Sequence, residues 1–404
     1  MENYVAFIMI MAIACGILDL MTDRWAILQK QLFPFILLLF YGLLIIRYYY
    51  GPDIWTYVPH YEQIPHPSVV WHHPDQGEFE WGYNLFCSLI HWIGLSYWGL
   101  TAVITTLYFL AVYLLLRQLP KRQIFALACI VMIDCHMLFH ENRQCLAVSC
   151  FIFMVLLLQR RRYLPAVLLG VCTVLMHKSG FMPVALLLAS SLLYNYRQEA
   201  GIYTVLTLLL AAMVVLPVQR ISGSLVQFLP LPEDYILSIS HHLQLGRQIQ
   251  VIALIYLLVL FGINMYLLYA PKTRYTWIAL VALVGMVCVV VFYQYYYLLN
   301  RVRSYFVPFV VFYAIQLMSD EKHSMAVPYS SLLKQSLMVL ILVYYSHYSI
   351  SLLHHSRQLH APITRACTVF ELRHASQKQI RDRQMKIANQ YWQEDFMKSS
   401  DNKL

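Results

Sequence analysis

Residues 275–300 read YTWIALVALVGMVCVVVFYQYYYLLN, 26 consecutive positions without an Asp, Glu, Lys or Arg side chain. A second uncharged run, of 24 residues, covers 248–271. A helix needs roughly 20 consecutive apolar residues to cross the hydrocarbon core of a bilayer. Each run meets that length, so both predict transmembrane α-helices.

The composition of the whole chain points the same way. Of its 404 residues 60% are hydrophobic and only 12% are charged, whereas soluble domains carry about 25% charged residues. The first apolar run, residues 5–18, lacks both a basic segment before it and a small-residue cleavage site after it. We therefore expect this run to be a retained helix rather than a signal peptide.

Apolar runs along the chain predict an all-α fold, a polytopic transmembrane bundle of about twelve spanning helices. We place the spans at 4–21, 32–50, 97–116, 123–139, 144–159, 163–177, 179–195, 200–217, 248–270, 275–295, 304–318 and 335–352. The run 82–94 is too short to cross and predicts a re-entrant or interfacial helix. The membrane domain then covers 1–352, with outer loops at 51–96 and 218–247, and a basic tail of unassigned role covers 353–404.

The positive charges predict the orientation, because short cytoplasmic loops carry an excess of Lys and Arg. With the N-terminus outside, the inner loops hold 13 basic residues, and the outer loops up to residue 350 hold 7. The basic tail at 353–404 disagrees with this rule, because an even number of spans places it outside as well. One helix more or fewer would reverse the side of the tail without reversing the earlier loops.

The net charge of +9 could suggest a nucleic-acid partner, but the basic residues are spread among short inter-helix loops, as topology requires. With no basic-aromatic reader motif visible, we expect no nucleic-acid partner.

Polar residues gather at the outer end of the second predicted span. They form the patterns Arg47-x3-Gly51-x-Asp53-x3-Tyr57-x3-Tyr61 and Glu80-x-Gly82-Tyr83. On the same predicted face lie Arg143, His177, Arg301 and Arg303. Ionisable groups are costly near a bilayer, so this convergence is a functional-site hypothesis.

These patterns resemble those of the EpsG family, the Wzy-like exopolysaccharide polymerases. The first two are similar to the family's signature after the second helix and to its acidic-x-Gly-aromatic step. Three later segments resemble further motifs of the family: Asn142-Arg143-Gln144-x-x-Ala147, His177-Lys178-Ser179-Gly180 and Asn300-Arg301-Val302-Arg303-x-Tyr305. Pro52 departs from the small polar residue expected there, and the tail has no counterpart in the pattern.

The resemblance implies a glycosyltransferase of the bacterial inner membrane, a polysaccharide polymerase. It would transfer glycan from undecaprenyl diphosphate onto a lipid-linked repeat unit at the periplasmic face, in capsule, exopolysaccharide or O-antigen synthesis. Lipid-linked oligosaccharide donor and acceptor would be its substrates, and membrane lipids, a chain-length regulator and a flippase its other partners. No cofactor is expected, and the absence of a Gly-rich phosphate loop fits a reaction without nucleotide sugars.

A diphosphate leaving group favours Arg, whose planar guanidinium binds phosphate oxygens in pairs. We expect Arg47 and Arg143 to act in catalysis and Arg301 and Arg303 in substrate binding. An Arg at a helix end can instead simply extend to the lipid headgroups.

The acceptor hydroxyl needs a base, for which Asp53, Glu80 and His177 are the candidates. Each has a structural alternative. Asp53 suits the turn in which it stands, Glu80 could cap the next helix, and His177 could bond a helix-end carbonyl.

Aromatic side chains crowd the same loop. We predict glycan contact for Tyr57, Tyr61, Trp81 and Tyr83, and an interfacial belt for Tyr48–Tyr50. The histidines of this loop match no metal-ligand spacing, so no metal site is predicted.

Three other functions remain as alternatives. A lipid-linked oligosaccharide flippase would show two similar halves around a midplane site, and no such repeat is visible. An O-antigen ligase performs the closest chemistry, and a membrane acyltransferase would face a cytoplasmic acyl donor.

Overall fold

The computed structural model describes residues 4–21, 26–48, 53–73, 79–195, 276–291 and 296–319, and short pieces of the tail at 367–368, 375–376, 378–383 and 385–386. The predicted spans 200–217, 248–270 and 335–352 and the loop 218–247 lie outside these residues.

The described residues are almost entirely helical. In chain order the helices are α1 (Tyr4–Met21), α2 (Ala26–Ile45), α3 (Ile54–Glu62), α4 (Pro67–His72), α5 (Trp81–Trp92), α6 (Tyr97–Leu116), α7 (Gln123–Ile133), α8 (Cys135–His140), α9 (Asn142–Gln159), α10 (Tyr163–Met176), α11 (Phe181–Asn195), α12 (Thr276–Val291) and α13 (Tyr296–Ser319), with a 3₁₀ turn at Lys178–Gly180. Two short strands, β1 (Arg47–Tyr48) and β2 (Cys367–Thr368), pair antiparallel. The helical class is confirmed, and the strand pair is an addition to it.

Three of the described helical segments are long and apolar enough to cross a membrane: Ile27–Ile45, Tyr97–Leu116 and Asn142–Gln159. Each overlaps a predicted span. The chain is therefore a helical membrane protein, while the total of twelve spans extends beyond the described residues and stays a prediction.

Two predicted boundaries are wrong. The span 123–139 is broken at Asp134, which ends α7 and precedes α8. The Asp134 carboxylate accepts a hydrogen bond from the Tyr108 hydroxyl at 3.0 Å, and a short polar side chain of this kind favours helix ends over helix interiors. The span predicted at 304–318 begins earlier, because α13 already includes Arg301 and Arg303. These two residues therefore lie within a helix and not in a loop before it.

The predicted outer loop 51–96 is itself folded. It contains α3 and α4 as well as α5, the 12-residue helix that matches the short segment predicted at 82–94. Helix α4 begins with Pro67, which suits the first turn because its missing N–H has no intrahelical partner there. The loop is thus a stack of short helices rather than an irregular connection.

The chain divides into two compact units. The first comprises Met1–Ile152, Leu175–His177 and Ala314–Leu404, and the second Phe153–Val174 and Lys178–Tyr313. In the first unit α1 packs along α7, and α2 packs against α6 and α7. The Asp19 carboxylate of α1 accepts a hydrogen bond from the Phe125 N–H at 2.8 Å, which satisfies an N–H in the first turn of α7.

The second unit is built around a close helix crossing. Gly285 of α12 lies directly against Phe306 of α13, with no room for a Cβ. Helix α11 packs against α12 as well. In the same unit the hydroxyls of Ser179 and Tyr305 are hydrogen-bonded at 3.1 Å.

Candidate functional site

Arg47 is buried where α2 gives way to β1, with only 6% of its surface exposed. Its Nη1 donates to the carbonyl of Leu138 in α8, and its Nη2 donates to Oδ1 of Asn142 at 3.1 Å. The Asn142 amide in turn donates to the hydroxyl of Tyr97 at 2.8 Å. Arg47 therefore binds both sides of the break between α8 and α9, where helix-end carbonyls need partners.

Arg143, one residue after Asn142, is held by a different set of groups. Its Nη1 donates to Oε2 of Glu80 at 2.7 Å, and its Nε donates to the hydroxyl of Tyr57 at 3.1 Å. Glu80 occupies the N-cap position of α5, yet its side chain makes no capping hydrogen bond. The carboxylate is thus turned to Arg143 and away from the role of a helix cap.

Aromatic rings surround this ion pair. The guanidinium carbon of Arg143 lies 4.3 Å from the ring centre of Phe79 and 5.7 Å from that of Tyr57. The rings of Tyr57, Phe79 and Tyr83 contact one another, with centres 5.2 to 6.2 Å apart. A cation over aromatic faces is stabilised by their quadrupoles, so the rings of Phe79 and Tyr57 help to hold Arg143 in place.

Burial favours the neutral form of the phenols in this cluster. It raises the pKa of Tyr57 well above the usual range, against the opposing effect of the Arg143 charge. Burial likewise raises the pKa of Tyr83. A phenol is already neutral at physiological pH, and burial keeps these two neutral to higher pH. Tyr57 thus accepts a hydrogen bond from Arg143 without carrying charge itself.

Arg47 and the Arg143 cluster meet at one pocket. Its walls come from the β1 segment, α3, α6, α8 and α9, and the lining residues are Arg47, Ile54, Tyr57, Tyr97, Trp98, Thr101, Phe139 and Asn142. Tyr57 belongs to both sets, because its ring lines the pocket and its hydroxyl bonds Arg143. The pocket lining thus combines the guanidinium of Arg47, the phenols of Tyr57 and Tyr97, the amide of Asn142 and the indole of Trp98.

The EpsG family model matches residues 30–357. The chain belongs to the EpsG family. No curated protein and no solved structure matches it. Membership together with the spanning helices makes this an exopolysaccharide-associated membrane protein, and the matched range includes every candidate site residue described above.

The remaining candidates of the EpsG-family chain do not line this pocket and occupy varied positions. Asp53 stands at the N-cap of α3, where its carbonyl accepts from the N–H groups of Thr56 and Tyr57 but its side chain makes no capping bond. Tyr61 donates to the carbonyl of Leu95 at 2.8 Å. These contacts give Asp53 the backbone role of a turn residue and give the Tyr61 hydroxyl a partner inside the protein.

Trp81 and Tyr48 are also engaged internally. The Trp81 indole N–H donates to the carbonyl of Val70 at 3.1 Å, and its ring contacts Trp71. Tyr48, predicted to belong to an interfacial belt, is instead buried with its ring 4.3 Å from that of Trp98. The belt assignment is therefore wrong for Tyr48, because the strand turns this side chain into the core.

His177 lies between α10 and the 3₁₀ turn and is 8% exposed. Two residues before it, the backbone of Leu175 packs directly on Gly82, where an added Cβ would lie 2.8 Å from the Leu175 carbonyl oxygen. The glycine of the Glu80-x-Gly82-Tyr83 motif thus allows the end of α10 to approach α5. Its role is close packing next to Glu80.

Arg301 and Arg303 lie on α13 in the second compact unit, Arg301 exposed and Arg303 half-buried. Their convergence with the other arginines stays a prediction. Within the described ranges no three His, Cys, Asp or Glu side chains are arranged to hold a metal ion. The histidine of α3, His60, is instead hydrogen-bonded to Asn84 at 2.9 Å.

Several residues of the site were not predicted from sequence, among them Phe79, Tyr97 and Asn142. Asn142 opens the Asn-Arg-Gln motif and Phe79 directly precedes Glu80, so adjacency to charged candidates was an available signal for both. Tyr97 carried no such signal, because it joins the site only through the fold.

Proposed function

We propose that this EpsG-family protein is a polysaccharide polymerase of the bacterial inner membrane, with its site on the periplasmic face. Donor and acceptor would both be oligosaccharides on undecaprenyl diphosphate. The loop-charge bias of the sequence supports the orientation, and the family supports the link to exopolysaccharide.

The observation that carries the proposal is the state of Arg143. Among the described residues, its hydrogen bonds to Glu80 and Tyr57 use two of its five N–H donors, and 23% of its side chain is exposed. The guanidinium is therefore held in place by Glu80 and Tyr57 while donors remain for an incoming anion. A preorganised cation of this kind stabilises the charge that develops on a diphosphate leaving group.

In the proposed reaction the acceptor hydroxyl oxygen attacks the anomeric carbon of the donor glycan. The new glycosidic bond forms as the bond to the diphosphate oxygen breaks, and undecaprenyl diphosphate departs with the electron pair. The hydroxyl proton passes to a base, for which Glu80, Asp53 and His177 are the candidates.

The test uses Arg143→Ala and Arg47→Ala, with Arg160→Ala as the matched control because Arg160 is exposed and lies outside the site. We expect both site variants to insert at normal levels and to stop glycan growth at one lipid-linked repeat unit, while the control makes long polymer. The measurement is gel separation of labelled glycan from cells.

Long polymer in both site variants would refute the proposal. Trapping of the single unit on the cytoplasmic side would refute it in favour of a flippase. Sidedness is read by whether an impermeant periplasmic glycosidase trims the trapped unit.

A further inference from the structure

The C-terminal tail carries a feature that the family pattern does not include. Most of the tail lies beyond residue 357, where the family match ends. Yet its strand β2 pairs antiparallel with β1, with Arg47 opposite Thr368 and Tyr48 opposite Cys367. The segment that carries the buried site arginine is thus bonded through its backbone to the tail.

A second part of the tail is also folded into the first unit. Ser376 and Gln379 cap each other's backbone, with the Ser376 N–H donating to the Gln379 side chain and the Gln379 N–H donating to Ser376 Oγ. This reciprocal pattern marks a helix start. On the helix that follows, Ile380 is buried whereas Lys378 and Asp382 are exposed.

The pairing constrains the topology. Two segments whose backbones are hydrogen-bonded lie on the same side of a membrane, so an even number of spans separates Tyr48 from Cys367. The twelve spans predicted from sequence place ten between them, which is even. The strand pair and the span count therefore agree that the tail shares the face of Arg47.

The pairing also completes the support of Arg47. Its side chain is bonded to α8 and α9, and the neighbouring Tyr48 ring packs on Trp98 of α6. The backbone between these two anchors has β2 as its strand partner. Backbone groups near a bilayer need such partners because water is scarce there.

We infer that the C-terminal tail docks as a strand on the Arg47 segment, on the same membrane face, and positions Arg47 in the site. The tail is then an element of the site. The docking and the shared side follow from the strand pair, whereas the periplasmic position of that side and the effect on glycan synthesis rest on the proposed function.

Docking is tested by a disulfide between the registered pair. Opposite residues in an antiparallel pair have Cα atoms about 4.5–5.5 Å apart, within the range that a disulfide spans. In Tyr48→Cys we expect mild oxidation to link position 48 to the native Cys367, detected by mass spectrometry of unreduced peptides. Adding Cys367→Ser should abolish that link, and Val69→Cys, exposed on α4, should not link to Cys367.

Absence of the link in Tyr48→Cys would overturn the docking. An alkaline phosphatase fused after Leu404 supplies the second arm, since it is active only outside the cytoplasm. A fusion that is expressed normally but inactive would place the tail in the cytoplasm. Under the proposed orientation, that result would contradict a shared membrane face for the tail and Arg47.

Positioning is tested by comparing Cys367→Pro/Thr368→Pro with Cys367→Ala/Thr368→Ala. Proline removes the N–H groups of the strand pair, whereas alanine keeps them. We expect at least a tenfold loss of long polymer in the proline variant and near-normal polymer in the alanine variant. Equal amounts of long polymer in the proline and alanine variants would overturn the positioning role. If Arg143→Ala also makes long polymer, the result counts against the proposed function instead.

Discussion

The ion pair between Glu80 and Arg143 gives the sharpest test of the site's architecture. Replacing Glu80 with Gln keeps the size and one acceptor oxygen but removes the charge that faces Arg143 at 2.7 Å. Arg143 then keeps Tyr57 and the Phe79 ring as partners. The perturbation therefore isolates the electrostatic part of the contact.

The exposed fractions of the two side chains set the magnitude. Removing one partner of a fully buried pair costs about 3–5 kcal/mol, and an exposed pair contributes less than about 1 kcal/mol. Glu80 is 9% and Arg143 23% exposed at the side chain, so Glu80→Gln falls between these limits, at about 1–3 kcal/mol. At about 2.1 cal/mol/K of unfolding entropy per residue, that loss lowers the melting temperature by roughly 1–4 °C.

The assay is thermal unfolding of the purified protein in one detergent, for Glu80→Gln, Arg143→Gln and the double variant. Glu62→Gln serves as the control, because Glu62 is an exposed carboxylate on the neighbouring α3. We expect a coupling free energy of about 1–2 kcal/mol between positions 80 and 143. Additive effects of the two single changes, or a Glu80→Gln shift no larger than that of Glu62→Gln, would refute the reasoning.

Three further predictions follow from other contacts. Gly82→Ala should lower the melting temperature by several degrees, because the new Cβ would lie 2.6 Å from the Cβ of Leu175. As the control, Gly42→Ala should leave the melting temperature unchanged or raise it, because a Cβ at position 42 would have no atom within 4 Å. Arg47→Lys should reduce long polymer at least tenfold in labelled-glycan gels, because one ammonium cannot reproduce the fork that binds Leu138 and Asn142. Burial raises the pKa of Tyr61 to about 12, above its value of about 10 in the unfolded chain. The neutral Tyr61 phenol therefore contributes its full share to stability below pH 10, and that share is lost as the pH rises towards 12. In Tyr61→Phe the melting temperature should therefore fall less steeply between pH 10 and pH 12 than in the unmodified protein, as measured by thermal unfolding.

Much of the architecture follows from the sequence because its cause is local. A run of some 20 apolar residues requires a helix in the bilayer whatever surrounds it, and the observed helices at Tyr97–Leu116 and Tyr163–Met176 closely match the predicted ranges. The same holds for α5, whose length alone excludes a full crossing. The break at Asp134 was not predictable from hydropathy, because a single polar residue hardly changes a long apolar window.

The site divides in a similar way. Sequence identified Arg47, Glu80, Arg143 and Tyr57 as candidates, since charged and polar groups next to apolar runs are expensive to keep. It left open whether Glu80 caps a helix or binds a cation, because both roles suit a carboxylate before a helix. Only the tertiary structure placed Glu80 on Arg143, 63 positions further along the chain.

The sequence by itself determined that this chain is a helical membrane protein with its ionisable groups gathered in a few motifs. Those properties depend on transfer free energies of side chains, which each residue carries with it. Only the tertiary structure decided that Asn142 and Tyr97 connect to Arg47, that Tyr48 is buried, and that β2 of the tail pairs with β1. These are contacts between groups distant along the chain, and their free energy exists only once packing has brought the partners together.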